Sequence, residues 1–420
     1  MKTKGVRMHG KDDVRFEEFD LPEMTENDII CKVICDSVCM STYKAIKQGT
    51  AHRAIPEDIA ENPSIMGHEF CCEIYKVGKK WEGKYNEGDR CLIKLGLDGK
   101  SNVAGYGCTF CGGNSQFVYI PDSVIEADCI IPYDKDAAYF YGSVSEPMAC
   151  IISGYHSCFH SDYAVYHHEM GTKKGGNLAL LASCGPMGFG AIDYALHCDR
   201  APKLLVVTDI NDERLARASS IYTVEHAAEL GIELHYVNTA KEANGGTDKL
   251  MELSGGKGYD DVIVFAPVSA VLEQGHEIMG DNGCMNFFAG PINHDFSANI
   301  NFHKVHYRRV NIFGTSGSND DDMQEALDMS FAGKINPAAM ITHVGGLDSA
   351  AETLLNYPKI PGGKKMVYAQ ISMPMTAIMD FAELGKNDPF YKELADICAR
   401  HNNLWSKEAE DYLLANAKAI

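Results

Sequence analysis

The run Leu178-Ala179-Leu180-Leu181-Ala182-Ser183-Cys184-Gly185-Pro186-Met187-Gly188 constrains this chain more than any other segment. An apolar stretch, a Gly-Pro turn and a further glycine read as a buried strand, a tight turn and a helix start. A pyrophosphate can sit on such a helix N-terminus, held by unpaired backbone N–H groups and the helix dipole. Gly185 permits close backbone approach, and Gly188 lets the helix pack on the strand. Ser183, Pro186 and Met187 complete the turn, with Ser183 where the first glycine of a G-x-G-x-x-G fingerprint belongs, so a plain strand-turn-helix also fits. The next strand weighs against that bland reading. Val206-Val207-Thr208-Asp209 ends in an acid 21 residues beyond Gly188, where it can accept hydrogen bonds from ribose hydroxyls. Asp209 would repel a 2′-phosphate, which favours NAD over NADP. Arg214 and Arg217 either reach such a phosphate or, beside Glu213, form a solvated helix face.

Around this turn, strands alternate with helices: Leu204 to Thr208, a helix from Asp212, then Val262 to Phe265. This is an α/β pattern with a doubly wound parallel sheet. The first 150 residues differ, with short Val- and Ile-rich segments (Ile29 to Ile34, Glu73 to Val77, Arg90 to Lys94, Gln116 to Ile120) broken by Gly, Pro and Asp. From Met373 the pattern predicts two helices, with Ile378, Phe381, Leu384, Tyr391, Leu394 and Ile397 at near-helical spacing. The expected domains are 1–155, β-rich; 156–315, dinucleotide-binding; 316–372, a return to the first; and 373–420, a helical extension. A chain of 420 residues exceeds the roughly 250 to 300 at which one core stops growing.

A net charge of -20 opposes binding to nucleic acid or anionic lipid. No apolar run approaches the roughly 18 residues that span a bilayer, and the N-terminus is charged. Fifteen scattered cysteines fit a reducing compartment. The expectation is a cytoplasmic protein with a small-molecule ligand and no membrane or nucleic-acid partner.

Three short segments of the β-rich part offer metal ligands: Cys39 in Ser37-Val38-Cys39-Met40-Ser41, His68 and Glu69 in Gly67-His68-Glu69, and Glu146 in Ser145-Glu146-Pro147. Zinc accepts thiolate, imidazole and carboxylate, and a catalytic zinc keeps one position open. Singly, each has a bland reading: a core thiol, a turn histidine, and an acid at a helix start before Pro147.

Taken in order, Cys39, Gly67-His68-Glu69, Glu146-Pro147 and Gly185-Pro186-Met187-Gly188 resemble the medium-chain dehydrogenase/reductase superfamily, in its sorbitol dehydrogenase-like polyol branch. The resemblance runs from about Val6 to Val367. It implies a GroES-like domain carrying zinc, a Rossmann domain carrying NAD(H), and a cleft between them. It implies one catalytic zinc held by Cys39, His68 and a carboxylate from Glu69 or Glu146, with Ser41 hydrogen-bonded to the reacting alcohol. It also implies a polyol or ketose substrate, suggesting L-sorbose 1-phosphate and D-glucitol 6-phosphate, and a homodimer or homotetramer.

Two departures from the family stand out. Lys44 occupies the place of a frequent proton-relay histidine; it relays protons, binds a substrate phosphate or is a surface lysine. Cys91, Cys108 and Cys111 are too few and too widely spaced for the usual four-cysteine lobe, so no structural zinc is expected there. The cluster His156, Cys158, His160, His167, His168 and Glu169 has helix-like spacing and suits a surface or packing role. His303, Lys304, His306, Arg308 and Arg309 form the densest basic run, a phosphate site or a charged edge. The rival functions are an unphosphorylated polyol or secondary-alcohol dehydrogenase, a zinc-free reductase, and a non-catalytic dinucleotide-binding protein.

Overall fold

The computed structural model describes residues 1–94 and 109–420. Cys108, one of the three lobe cysteines, lies outside the described residues. The chain divides into two compact units, Met1–Glu146 with Ile341–Ile420, and Pro147–Met340.

The first unit is β-rich and GroES-like. Its largest sheet runs Thr376–Ala377, Ile341–Gly346, Lys364–Tyr368, Ile29–Val38, Phe70–Val77, Arg90–Ile93, Ile130–Pro132, with Phe117–Ile120 also paired to Ile29–Val38. The strand Ile29–Val38 is buried along nearly its whole length, with Asp36 and Ser37 as buried polar residues near its C-terminal end. Antiparallel pairing places Lys365 opposite Val38 and Asp36 opposite Phe70. The segments around Cys39, Glu69 and Lys364 are thereby brought to one end of adjacent strands.

The second unit contains a six-stranded parallel sheet in the order Glu233–Asn238, Leu204–Asp209, Asn177–Leu181, Tyr259–Val264, Met279–Phe287, Asn311–Gly314. The order reverses beside Asn177–Leu181, which makes its C-terminal end the switch point where open α/β sheets bind ligands. Leu178, Leu180, Leu205, Val207 and Ile263 fill one face of this sheet, while Ala179, Leu181, Val206, Val262 and Val264 fill the other.

Three elements differ from the sequence expectations. Tyr139–His156 is one helix with Pro147 in its interior, so Glu146 is mid-helix and not at a helix start. His160, His167 and His168 lie on a hairpin, Phe159–Asp162 with His167–Met170, where the sequence spacing suggested a helix. The tail forms three helices, Phe381–Leu384, Pro389–Arg400 and Lys407–Asn416, rather than two. Trp405 and Leu413 anchor this tail, both fully buried. Among the described residues, no helix is long and apolar enough to cross a membrane.

Candidate metal centre and dinucleotide turn

Cys39 caps the N-terminus of the helix Met40–Gln48, directly after the central strand. Its Sγ lies 2.7 Å from the Ser41 hydroxyl. The donor atoms of Cys39, His68 and Glu69 all lie within 4.8 Å of one another. Burial pushes the Cys39 thiol up to about 12, and the neighbouring Glu69 charge adds to the shift. Burial pulls His68 down to about 4, so its ring is neutral, the form that binds metals. The Thr42 hydroxyl contacts His68 Nδ1 at 3.1 Å, a contact of the kind that orients a metal-binding imidazole.

Thiol, neutral imidazole and carboxylate in one group, with Glu69 buried and Cys39 and His68 half-buried, fit a zinc ion, whose charge would draw the thiol into its thiolate form. Glu146 is half-buried and lies outside the tight group, yet close enough for its charge to raise the Cys39 thiol. Glu69 is tied elsewhere. Both its oxygens accept from Lys364 Nζ at 2.6 Å, and the Ser37 hydroxyl also donates to it. Burial opposes the Lys364 charge, but Glu69 and Cys39 more than offset this and hold its pKa well above the ordinary lysine value. Ser143, on the Glu146 helix, donates to the Glu69 carbonyl at 2.6 Å.

That helix is held at its start by the tail. Glu410 accepts from the backbone N–H groups of Tyr139 at 2.6 Å and Phe140 at 2.9 Å, orphan donors of the first turn. Tyr368 donates to the same carboxylate at 2.9 Å and accepts from Trp405 at 2.7 Å. Burial pushes Glu410 up to about 7, with these hydrogen bonds working in the other direction.

In the second unit, the turn after Asn177–Leu181 leads into the helix Pro186–His197, with Gly185 as its cap. A Cβ on Gly188 would lie 1.7 Å from the Ser183 carbonyl oxygen, whereas one on Gly185 would meet nothing within 4 Å. The turn is therefore closed on its sheet side and open above Gly185. Ala182 carries the left-handed φ of 53°, and Ser183 does not, so the position fingerprinted as glycine tolerates serine here. Asp209 is buried; it accepts from Ile210 and Asn211 through one oxygen and from Cys184 through the other. Arg214 is exposed, and its charge is felt by Cys184 beside the turn. Arg217 is committed elsewhere, stacked 4.4 Å from the Phe189 ring centre and bonded to the Ala339 carbonyl.

Two family models match the chain: a zinc-binding dehydrogenase domain over residues 186–332, and an alcohol dehydrogenase GroES-like domain over residues 25–128. The protein YggP of Escherichia coli (strain K12) is 47% identical over 99% of this chain and 97% of its own length. A mannitol-1-phosphate 5-dehydrogenase of Aliivibrio fischeri is 46% identical over 98% of this chain and 97% of its own. An L-sorbose 1-phosphate reductase of Klebsiella pneumoniae is 41% identical over 100% and 98%. The chain belongs to the zinc-dependent medium-chain dehydrogenase/reductase family. This dehydrogenase is thus a zinc-binding oxidoreductase with an NAD(P)-binding fold, of the sorbitol dehydrogenase-like branch.

Within this dehydrogenase, Lys44 lies on the helix that Cys39 caps, and burial lowers its pKa. The basic run is engaged with its own unit. Lys304 Nζ donates to the His276 and Glu277 carbonyls, Arg308 pairs with Asp281, and Arg309 stacks 4.3 Å from the Tyr163 ring centre. Lys364, Ser37, Thr42 and Glu410 went unread in the sequence. Lys364 is 295 positions from Glu69, and no spacing rule spans that distance.

Proposed function

We propose that this dehydrogenase interconverts a ketohexose phosphate and a hexitol phosphate, L-sorbose 1-phosphate and D-glucitol 6-phosphate among them. The observation that carries the reading is the close Cys39, His68 and Glu69 donor group with the Ser41 hydroxyl on Cys39 Sγ. Two relatives that this chain matches over nearly its whole length are named for hexitol or ketose phosphates. Cys39 and His68 hold zinc, with Glu146 or Glu69 as the carboxylate. When bound, zinc supplies a Lewis acid beside the substrate oxygen, and the nicotinamide supplies or accepts the hydride.

The chain's own residues do the rest. The Ser41 hydroxyl hands a proton to the oxygen of a ketone being reduced, and takes it back from an alcohol being oxidised. Lys44, three residues further along the same helix, is a point charge for the substrate phosphate and a relay for that proton. Lys364 holds both Glu69 oxygens and directs that carboxylate, which leaves Glu146 as the candidate for the carboxylate ligand. Ser183, Gly185, Pro186, Met187 and Gly188 receive the pyrophosphate, and Asp209 the adenosine ribose. Asp209 favours NAD, while the exposed Arg214 is the residue through which NADP would be accepted. The first unit thus carries catalysis and the second the dinucleotide, in a cytoplasmic homodimer or homotetramer.

The test is a hydride-transfer panel of hexitols, ketohexoses and their phosphates, each with NAD and with NADP. The reading expects phosphorylated substrates to exceed their free counterparts in kcat/KM, and NAD to exceed NADP. Higher kcat/KM on unphosphorylated polyols would overturn the phosphate reading and leave a plain polyol dehydrogenase.

A further inference from the structure

A second cluster of metal-ligating side chains lies in the Pro147–Met340 unit, apart from the residues proposed for catalysis. Donor atoms of Cys158, Asp261 and Cys284 lie within 4.8 Å of one another, and all three residues are buried. Cys158 follows the long helix, Asp261 is on the strand Tyr259–Val264, and Cys284 lies opposite Asp261 on the neighbouring strand. A fourth donor lies beside Asp261: His160 Nε2 is 3.1 Å from its Oδ1 and 3.3 Å from its Oδ2. Two sulfurs, one nitrogen and one oxygen make a ligand set that zinc accepts.

The hydrogen bonds around the cluster are those that orient ligands. His160 Nδ1 lies 3.2 Å from the Asn282 carbonyl, which can only accept, so Nδ1 carries the proton. In a neutral ring Nε2 then presents a lone pair to the Asp261 carboxylate, two acceptors face to face. Only a second ring proton or a cation between them resolves this. A carbonyl on the outer nitrogen is also how metal-bound histidines are commonly held. Asp261 Oδ2 accepts from the Lys173 N–H at 2.7 Å, which fixes the carboxylate and leaves Oδ1 for a ligand. Cys284 Sγ accepts from the Phe159 N–H at 3.4 Å, which fixes the position of the sulfur. Tetrahedral ligand atoms around zinc lie about 3.3 to 3.8 Å apart, so closing Cys158, Asp261 and Cys284 from separations within 4.8 Å requires shifts of about an ångström, and His160 must follow Asp261 inward.

We propose that Cys158, His160, Asp261 and Cys284 form a second, non-catalytic site for a thiophilic divalent cation of the zinc class. Binding releases the thiol protons of Cys158 and Cys284, the former directed at the Gly154 carbonyl in the metal-free form. The ion fastens the Phe159–Met170 hairpin to the adjacent sheet strands.

Counting metal in a chain whose catalytic ligands are removed tests this directly. The Cys39→Ser/His68→Ala variant keeps every residue of the second site. After dialysis it should retain one zinc per chain, against two in the wild type, and after cobalt exchange it should keep a thiolate-to-cobalt absorption band. Adding His160→Asn and Cys284→Ser should remove both the ion and the band. A Cys39→Ser/His68→Ala protein that holds no metal would overturn the proposal, leaving a protonated His160 paired with Asp261. So would an ion that survives the added substitutions, since it would then sit elsewhere, Cys31, Cys72 and Cys91 being another thiol cluster among the described residues. If the variants fail to fold, Cys284→Ser alone decides: one ion fewer than the wild type supports the site, and an unchanged count refutes it.

Discussion

Replacing Lys364 with methionine removes the cation from a pair whose side chains are 2% and 0% exposed, with nitrogen and oxygen 2.6 Å apart. The Glu69 carboxylate would stay buried, with the Ser37 hydroxyl still donating to it. Removing one partner of a buried ion pair costs about 3 to 5 kcal/mol, because the other charge is left uncompensated. Replacing both partners by neutral groups is far milder, so Glu69→Gln/Lys364→Met should recover most of that loss. Trp81 and Trp405, the chain's two tryptophans, both belong to the Met1–Glu146 with Ile341–Ile420 unit. Tryptophan fluorescence in urea therefore follows this unit even if the two units unfold separately. With metal removed, the single variant should lose about 3 to 5 kcal/mol at unchanged m-value. With zinc bound the loss should shrink, because the ion supplies positive charge next to Glu69. An unchanged midpoint for metal-free Lys364→Met, or a double variant no better than the single, would refute the argument.

Glu410 gives a pH prediction. Its folded pKa of about 7 lies above the ordinary 4.5, so its contribution to stability is full below about 4.5 and is lost as pH rises through 7. The advantage of the wild type over Glu410→Gln should fall by about 3 kcal/mol between about pH 5 and pH 8; a difference that stays flat across urea titrations would count against it. Gly188→Ala and Gly185→Ala should part company. The first forces a Cβ against the Ser183 carbonyl and should cost about 3 kcal/mol or more in thermal unfolding. The second meets no protein atom, so unfolding should be unchanged while dinucleotide affinity drops; equal stability losses would contradict the open turn. Asp209→Gly should shift the NADP to NAD ratio of kcat/KM upward by tenfold or more, since a carboxylate facing a 2′-phosphate costs about 1.4 kcal/mol or more. An unmoved ratio would remove Asp209 from cofactor choice.

What the chain's text discloses is mostly local. The strand, turn and helix of the dinucleotide site are visible because apolar run, Gly-Pro turn and Gly188 fall within eleven residues. Cys39, His68 and Glu69 are visible only through their order along the chain. The helix Tyr139–His156 is hidden because Pro147 ordinarily ends a helix, and nothing local reveals that Glu410 secures its first turn from 271 positions away. Lys364 is hidden for the same reason: the antiparallel pairing of Lys364–Tyr368 with Ile29–Val38 creates its contact with Glu69. The histidines after His156 mislead by spacing, since a hairpin and a helix can both place them close together. Ser183 departs from the fingerprint because the turn's left-handed position is Ala182.

The most direct test of the account is to measure zinc content, turnover and NAD binding together in Cys39→Ala and His68→Ala. Each variant should lose one zinc per chain and all hydride transfer, while NAD still binds with wild-type affinity at the separate Gly185 to Gly188 turn. Full turnover in a variant that has lost that zinc would contradict the account at its centre.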